Sequence, residues 1–366
     1  MKIKGDSMKK KYILAINPGS TSTKVSLFEG LIEVKSQKLE ISQDELKQFE
    51  AIIDQYEFRK DIIDNWLISE EIDKGEIRAV VGRGGLLRPM PSGTYKVTED
   101  MIEDLKIGIQ GQHASNLGGL LAKGLGDELE VPSYIVDPVA VDEFHDVARI
   151  SGLKELPRKS LVHALNIKAV CHRYANETNQ KLDDINLIVA HLGGGISVAP
   201  ILRGKIVDVN NANHMGPFSP ERAGGLPVGD IVKMCFSGDY TEAQMKKLIQ
   251  GQGGMMSYLE TFDGREVIKR IQAGDKYAKL IYDAMAYQIG KEIGSLGPVL
   301  KGDVNAIIIT GGLAYSDYLV EYIKDMVSFL ADVIVYPGED EMDALNRGAL
   351  RVLEGEEKAK IYEEEV

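Results

Sequence analysis

A strand, a glycine-containing turn and a returning strand follow one another at residues 13–28. The apolar run from Ile13 to Ile16 predicts a buried strand, and the alternating segment that ends at Phe28 predicts its partner. Between the two strands, Gly19 lets a ligand approach the backbone closely, because glycine has no Cβ atom. The side chains that follow suit an anion, above all phosphate; they are Ser20, Thr21, Ser22, Thr23 and Lys24. An ordinary polar hairpin is the alternative interpretation.

The same pattern occurs a second time in the other half of the chain, at residues 187–198. When the two copies are superposed, Asn17 matches His191 and Gly19 matches Gly193. One such unit in each half implies two related domains that face a shared cleft. A third glycine turn follows another apolar strand, and the glycines of the second and third turns are Gly193, Gly194, Gly195, Gly311 and Gly312.

The composition limits the classes of partner that we expect. The 366 residues include 43 Lys and Arg against 56 Asp and Glu, a formal net charge of −13, which argues against nucleic acid and anionic membranes as partners. No apolar run is long enough to span a membrane, and residues 1–11 are basic without the apolar core of a signal peptide. Cys171 and Cys235 lack metal-binding spacing. We therefore expect two reduced, buried thiols in a cytoplasmic protein.

Local patterns predict several further elements. Apolar residues at three- and four-residue steps predict helices over residues 44–72, 160–177 and 275–296. Residues 208–230 predict a long irregular loop, and such loops in compact domains usually have a function. The Gly- and Met-rich residues 251–256 predict a second flexible element.

The length allows two domains of ordinary size. A polar passage at residues 151–159 predicts the boundary between them. We expect an N-terminal domain over residues 8–157 and a C-terminal domain over residues 158–344, with the C-terminal residues 345–366 packing back on the first domain.

Four candidate functional positions stand at the ends of predicted elements. Arg83 follows a buried strand in a Gly-flanked turn, where its planar guanidinium suits a carboxylate or phosphate; a surface arginine is the alternative. Asp137 ends another strand, where α/β folds place their chemistry, although it also suits a turn cap. His113 stands at the start of a helix, where a polar ligand would meet it. The acidic residues 339–341 precede a helix and suit its dipole or a divalent cation.

Several segments together resemble the acetate kinase family. They are residues 17–24, 191–197, 215–220 and 339–341, with residues 81–87 and 135–138 most similar to the butyrate kinase branch. The resemblance covers residues 12 to about 352, with the motifs in family order. It implies an α/β fold of two duplicated domains, actin-like (ribonuclease H-like), with ATP in an inter-domain cleft.

The resemblance also implies a reaction. The γ-phosphoryl group of ATP would be transferred reversibly, with Mg²⁺, to butanoate or branched isobutanoate, giving the acyl phosphate and ADP. A carboxylate is already a nucleophile, so catalysis rests on in-line positioning and charge neutralisation rather than on a strong base. A homo-oligomer, a dimer or larger, is implied as well. The alternatives are an acetate or propionate kinase of the same family, a sugar kinase, or a non-metabolic ATPase of the actin fold.

Residue roles follow from the same resemblance. Asn17 and Glu341 would orient Mg²⁺, and Arg83 would contact the acid or the phosphoryl group. Asp137 matches an acid that lines the reaction centre, and His113 matches a family histidine. The residues implied in nucleotide binding are Asn17, Gly19, Ser20, Thr21, Lys24, His191, Gly193, Gly194, Gly195, Gly311 and Gly312.

The chain departs from the family pattern at three positions. The arginine that precedes a Gly-Asp pair in the long loop is missing, and we expect Arg222 to replace it. His163 or Lys159 is the candidate for the transition-state histidine, although a single histidine on an apolar helix is usually a core residue. Acetate-using relatives carry a β-branched residue where this chain has Gly82. We expect Gly82 to open space for a longer acyl tail, the alternative being a need for its backbone angles.

Overall fold

The computed structural model describes residues 10–366. The start of the predicted N-terminal domain at residue 8, and most of the basic segment 1–11, lie outside the described residues. The chain divides into two compact units. Unit 1 holds the described residues up to Val141 together with Asp340–Val366, and unit 2 is Asp142–Glu339. No helix within residues 10–366 is both long and apolar enough to cross a membrane.

The unit boundary lies earlier than the polar passage that suggested it. The N–H of His145 donates to the carbonyl oxygen of Val207 at 3.0 Å. The carboxylate of Glu143 accepts from the N–H of Ile206 at 2.8 Å. Because these hydrogen bonds tie the segment after Val141 to unit 2, that segment belongs to unit 2 although the predicted boundary followed residue 157.

Unit 1 contains a seven-stranded sheet. With elements numbered along the chain, its strands are β1 (Tyr12–Pro18), β2 (Ser22–Glu29), β3 (Ile32–Glu40), β4 (Ile77–Arg83), β5 (Thr94–Lys96), β6 (Ser133–Val136) and β12 (Lys360–Ile361). Their spatial order is β12-β5-β6-β4-β1-β2-β3. β1 is antiparallel to β2 and parallel to β4, and β4 is parallel to β6.

Five helices belong to unit 1 among the residues that the structure describes. They are α1 (Gln43–Leu46), α2 (Tyr56–Ser69), α3 (Glu99–Ile107), α4 (Asn116–Glu128) and α12 (Glu341–Glu354). α4 and α12 both pack against β1, β4 and β6. The consecutive residues 13–16 of β1 are fully buried, as expected for a strand covered on both faces.

The prediction of one helix over residues 44–72 was wrong. α1 ends at Leu46, and a 3₁₀ turn, Ile52–Gln55, precedes α2. The side chain of Asp54 accepts from the N–H of Ala51 at 2.9 Å. This local hydrogen bond starts a new helical segment, while the apolar spacing continues across the break and conceals it in the sequence.

Unit 2 repeats the arrangement of the central strands of unit 1. Its strands are β7 (Asn186–Leu192), β8 (Ile196–Leu202), β9 (Lys205–Ile206), β10 (Ala306–Gly311) and β11 (Val333–Pro337). The spatial order is β11-β10-β7-β8-β9, with β7 antiparallel to β8 and parallel to β10. The hairpins β1–β2 and β7–β8 therefore hold equivalent places in the two sheets, and the strand–turn–strand repeat is confirmed.

The helices of unit 2 are α5 (Ala164–Glu177), α6 (Val228–Phe236), α7 (Glu242–Ile249), α8 (Gly254–Leu259), α9 (Gly264–Gln272), α10 (Lys276–Leu296) and α11 (Asp317–Val327). The predicted helix over residues 275–296 is confirmed as α10, whose first turn is capped by the side chain of Asp275.

Three predictions for unit 2 need correction. The helix expected from residue 160 begins at Ala164, because His163 has non-helical dihedral angles. The flexible element at residues 251–256 is partly α8, anchored by the buried Met255. Only Cys171 is a buried thiol; Cys235 is exposed on α6, a helix without buried residues.

Candidate active site

The first glycine turn joins β1 to β2. The N–H of Gly19 donates to the carbonyl oxygen of Ser22 at 2.8 Å, which closes the turn. Ser20 and Thr21 are exposed at its tip. Lys24 is also exposed and pairs in register with Asn17 across the hairpin. The predicted anion-binding residues thus share one end of the hairpin.

Three predicted residues of unit 1 form a cluster where β1 and β4 end and α12 begins. Arg83 Nη1 lies 2.6 Å from Glu341 Oε1 and 3.4 Å from Asn17 Oδ1. The side-chain amide of Asn17 donates to the other carboxylate oxygen of Glu341. The Arg83 and Glu341 side chains are only 25% and 18% exposed, so the surface-arginine alternative does not hold. The cap of α12 is Asp340, which leaves the Glu341 carboxylate to this cluster.

Arg83 keeps part of its guanidinium available. Both contacts use Nη1, and within residues 10–366 the other guanidinium nitrogens have no hydrogen-bond partner. A planar fork with free N–H groups binds carboxylates and phosphates in two parallel hydrogen bonds. Arg83 can therefore hold an anion while Glu341 and Asn17 fix one of its nitrogens.

Asp137 and His113 are placed differently from this cluster. Asp137 directly follows β6 and has φ of +39°. It exchanges two hydrogen bonds with Gly93, one of them from the Gly93 N–H to Oδ1 at 2.7 Å. That pairing supports the turn-holding alternative for Asp137. His113 Nδ1 lies 2.8 Å from the hydroxyl oxygen of Ser115. Partial desolvation, together with the positive charge of Arg83, lowers the pKa of His113 and so favours the neutral form of its imidazole.

The Gly82 prediction is contradicted by the packing of β4. A Cβ atom on Gly82 would lie 2.0 Å from the carbonyl oxygen of Gly118 and 3.2 Å from the side chain of Ala122, both on α4. Gly82 therefore permits close contact between strand and helix, and the space beside it is filled by α4 rather than open to an acyl tail.

The second glycine turn joins β7 to β8 and is packed against Arg222. A Cβ atom on Gly195 would lie 2.3 Å from Arg222 Nη1, so a larger residue at this position would displace the guanidinium. Arg222 Nη1 donates to Asn213 Oδ1 at 3.0 Å. Burial lowers the pKa of the Arg222 guanidinium. The hydroxyl of Ser219 donates to the carbonyl oxygen of Gly194 at 2.5 Å, which ties the long loop to the turn. Arg222 thus lies next to the glycines of the second turn, and its role as the replacement for the family's arginine stays a prediction.

Two histidines stack behind the second turn. The rings of His163 and His191 lie 4.2 Å apart with an interplanar angle of 23°. His163 Nδ1 is 2.9 Å from the hydroxyl oxygen of Ser197, and His191 Nε2 is 3.1 Å from Glu339 Oε1. Lys159 is exposed and makes no hydrogen bond or ion pair with any other described residue. Of the two candidates, His163 is the one that contacts the strands on either side of the turn, at His191 and Ser197.

A cavity of about 970 Å³ opens beside the second and third turns, within unit 2. Gly311, with φ of +93°, packs its backbone against Leu192, while Gly312 lines the cavity with open space around it. The volume is ample for a nucleotide. Sequence reasoning missed other residues that line the cavity, which include Phe262, Asp263, Arg265, Tyr315 and Tyr318. The local sequence pattern that could have pointed to these residues is Asp263-Gly264, where the side chain of Asp263 caps the start of α9.

The comparisons with known proteins agree with this arrangement. Residues 151–333 match the model of a family described as the acetokinase family. A relative from Caldanaerobacter subterraneus subsp. tengcongensis named "Probable butyrate kinase 2" is 58% identical over 350 residues, 96% of this chain and 99% of the relative. The chain belongs to the acetokinase family.

Two further comparisons place this acetokinase family member more closely. "Butyrate kinase 1" of Clostridium acetobutylicum is 52% identical over 351 residues, again 96% of this chain and 99% of the relative. The crystal structure of Porphyromonas gingivalis acetate kinase superposes with a TM-score of 0.78 at 20% identity, covering 94% of this chain and all of that one. The duplicated actin-like fold predicted from the sequence is thereby confirmed.

Proposed function

We propose that this acetokinase family member transfers the γ-phosphoryl group of ATP reversibly to butanoate or isobutanoate, giving the acyl phosphate and ADP. The observation that carries this proposal is the 52% to 58% identity, over 96% of the chain, to proteins named as butyrate kinases. The two glycine-turn hairpins and the arginines beside them supply the groups that phosphoryl transfer needs.

In unit 1, the free nitrogens of Arg83 bind the acid carboxylate or the transferring phosphoryl group. Its third nitrogen is fixed by Glu341 and Asn17, which gives the fork one orientation. Because the carboxylate substrate is already a nucleophile, His113 is not required as a base. Asp137 acts on the site through the loop that it holds.

In unit 2, the cavity beside Gly312 takes the adenosine and the second glycine turn takes phosphate. The Arg222 guanidinium, packed against Gly195, neutralises oxygens of the transferred group. His163, stacked on His191, lies against the same turn and is the better candidate for the missing family histidine.

Mg²⁺ is the cation that we propose for the reaction. Within residues 10–366 no cluster of three or more His, Cys, Asp or Glu side chains forms a metal cage. Asn17 and Glu341 do offer hard oxygen atoms in a partly buried place. One carboxylate plus substrate phosphates and water is the usual way in which proteins bind Mg²⁺, so these residues fit. The ion would neutralise phosphate oxygens of the nucleotide.

Hydroxylamine trapping tests the proposed reaction. The protein is incubated with ATP, Mg²⁺, hydroxylamine and acetate, propionate, butanoate or isobutanoate, and the acyl hydroxamate is measured. We expect the highest kcat/KM with one of the four-carbon acids. A highest kcat/KM with acetate or propionate would indicate that one of these shorter acids is the preferred substrate. ATP hydrolysis without hydroxamate from any acid would indicate a non-metabolic ATPase.

We also propose a cytoplasmic location and a homo-oligomer, a dimer or larger. The acidic composition and two cysteines without a disulfide support the first. The family resemblance of the sequence motifs supports the second, and light scattering after size-exclusion chromatography measures it.

A further inference from the structure

A fully buried arginine stands behind the first glycine turn. Arg59, on α2, is 1% exposed. Within residues 10–366 no carboxylate lies within ion-pair distance of its guanidinium. Its partner on the helix is the neutral side chain of Gln55, whose Oε1 accepts from Nε at 3.0 Å and from Nη2 at 2.9 Å. A buried charge without a counter-ion is costly, so its place next to the turn requires a reason.

The other hydrogen bonds of Arg59 all reach the turn and its first strand residues. Nη1 donates to the carbonyl oxygen of Ser22 at 3.0 Å and to the hydroxyl of Thr23 at 2.9 Å. Nη2 donates to the carbonyl oxygen of Ser20 at 3.3 Å. The intervening carbonyl, that of Thr21, accepts from the N–H of Ile41 at 2.9 Å. Three consecutive carbonyl oxygens are therefore held by donors of unit 1.

This arrangement has a consequence for the N–H groups at the tip. In the part of the chain that the structure describes, the N–H groups of Ser20 and Thr21 have no acceptor, and both residues are exposed. Successive free N–H groups in a turn form a concavity that binds anions. The missing counter-ion of the buried guanidinium and the free donors of the tip both suit the same ligand, a phosphate group.

We infer that Arg59 is a positioning residue: it holds the carbonyl oxygens of the first glycine turn inward and so presents the N–H groups of Ser20 and Thr21 to a phosphate of the nucleotide. Its charge adds a favourable electrostatic potential behind the bound phosphate. This inference rests on the proposed function for the identity of the nucleotide, ATP. Burial lowers the pKa of Arg59 to about 10, so the side chain remains charged at neutral pH.

Two substitutions and a matched control test this role. Arg59→Met removes the charge and the fork, and Arg59→Lys keeps the charge without the fork. Leu67→Ala is the control, because Leu67 is a fully buried residue of the same helix whose apolar side chain cannot hydrogen-bond to the turn. The measurements are the Kd for ATP by titration calorimetry, steady-state kcat and KM, and thermal unfolding followed by fluorescence of the single tryptophan, Trp66, which lies on α2.

We expect Arg59→Met to raise the Kd and KM for ATP by about ten- to a hundredfold, as for the loss of hydrogen bonds to a charged group. Arg59→Lys should give a smaller increase. KM for the acid should stay within about twofold in both variants. Leu67→Ala should unfold at a lower temperature with its Kd for ATP unchanged, because loss of folded protein lowers kcat and not ATP affinity.

The inference would be overturned if Arg59→Met bound ATP as tightly as the wild type. It would also fail if Leu67→Ala weakened ATP binding as much as the arginine substitutions did. If Arg59→Met does not fold, an unchanged Kd in Arg59→Lys has the same meaning. A wild-type protein that binds ATP but yields no hydroxamate would remove the proposed function and leave the calorimetric test of Arg59 intact.

Discussion

A single methyl group added at Gly82 should have a large effect on the protein. We expect Gly82→Ala to lower the stability of unit 1 and to lower activity with every acid in parallel. A Cβ atom there would lie 2.0 Å from the carbonyl oxygen and 2.4 Å from the carbonyl carbon of Gly118. Both are backbone atoms of α4, which cannot turn aside as the end of a side chain can.

The magnitude follows from these distances. An ordinary contact between carbon and a carbonyl oxygen is about 3.4 Å, so β4 and α4 would have to separate locally by about 1.4 Å. Overpacking typically costs about 1–3 kcal/mol, and a backbone contact belongs at the upper end. For a unit of this size we expect unfolding about 6–12 °C below the wild type. A Cβ atom on Gly118 would lie 2.2 Å from the Arg83 carbonyl oxygen, so the separation also reaches Arg83. A displacement of about 1 Å at a positioning group can cost about a hundredfold in rate.

The assay combines Trp66 fluorescence during heating with hydroxamate formation from acetate and butanoate. Gly119→Ala is the matched control. Its Cβ atom would come closer than 3 Å to only one atom outside its own helix backbone, the end of the Leu105 side chain at 2.7 Å, and a side-chain end can move. The control should lose less stability and little activity. If Gly82→Ala kept its unfolding temperature and its acetate activity while losing butanoate activity, Gly82 would line the acyl pocket and the strand–helix contact would not be the reason for the glycine.

Three further predictions concern side chains. Arg83→Ala and Arg222→Ala should each lower the rate of hydroxamate formation by about a hundredfold or more, a loss of about 3 kcal/mol of transition-state stabilisation, while calorimetry still detects ADP binding; near-normal turnover would remove that arginine from the site. Glu341→Gln should raise the Mg²⁺ concentration needed for half-maximal activity with ATP binding largely intact, because the cation loses an anionic oxygen; an unchanged Mg²⁺ dependence would contradict the metal role. Hydrogen bonds from Arg88 lower the pKa of Asp104. The ionised Asp104 carboxylate therefore stabilises the folded protein above the ordinary aspartate pKa, and this stabilisation is lost as pH falls through the lowered pKa. Asp104→Asn should therefore lose about 1–3 kcal/mol at pH 7 and respond less to acid than the wild type, as measured by urea unfolding at pH 7 and pH 3; equal acid sensitivity would contradict this pairing.

Local patterns in the sequence were sufficient for the hairpins. Strands such as β1 and β7 are continuous apolar runs, and their turns carry glycines, so both could be placed without knowledge of the rest of the chain. Local patterns failed between α1 and α2, because the helix is interrupted there while the apolar residues continue at helical spacing. They also failed for Cys235, because hydrophobicity alone does not show that α6 lacks a packing partner within the described chain.

Long-range contacts could not be predicted from local patterns. Asn17 and Glu341 are 324 positions apart, and only the family resemblance suggested that both act at one metal. Arg59 was missed because an arginine on an amphipathic helix ordinarily lies in solvent. Gly82 was misinterpreted because it packs against α4, and a contact with a helix more than thirty residues further along the chain cannot be seen in the local sequence.

Unit 1 is discontinuous along the chain, and this affects the order in which the protein forms during translation. All of unit 2, Asp142–Glu339, emerges from the ribosome before α12 begins at Glu341. Unit 2 can therefore collapse while the chain is still growing, whereas β1 and β4 must wait for the helix that covers them. In that interval, the surface of the central strands that α12 later covers is open to chaperones and to aggregation. Glu341 arrives with α12, so a nascent chain acquires its cluster with Asn17 and Arg83 only after all of unit 2 has been made.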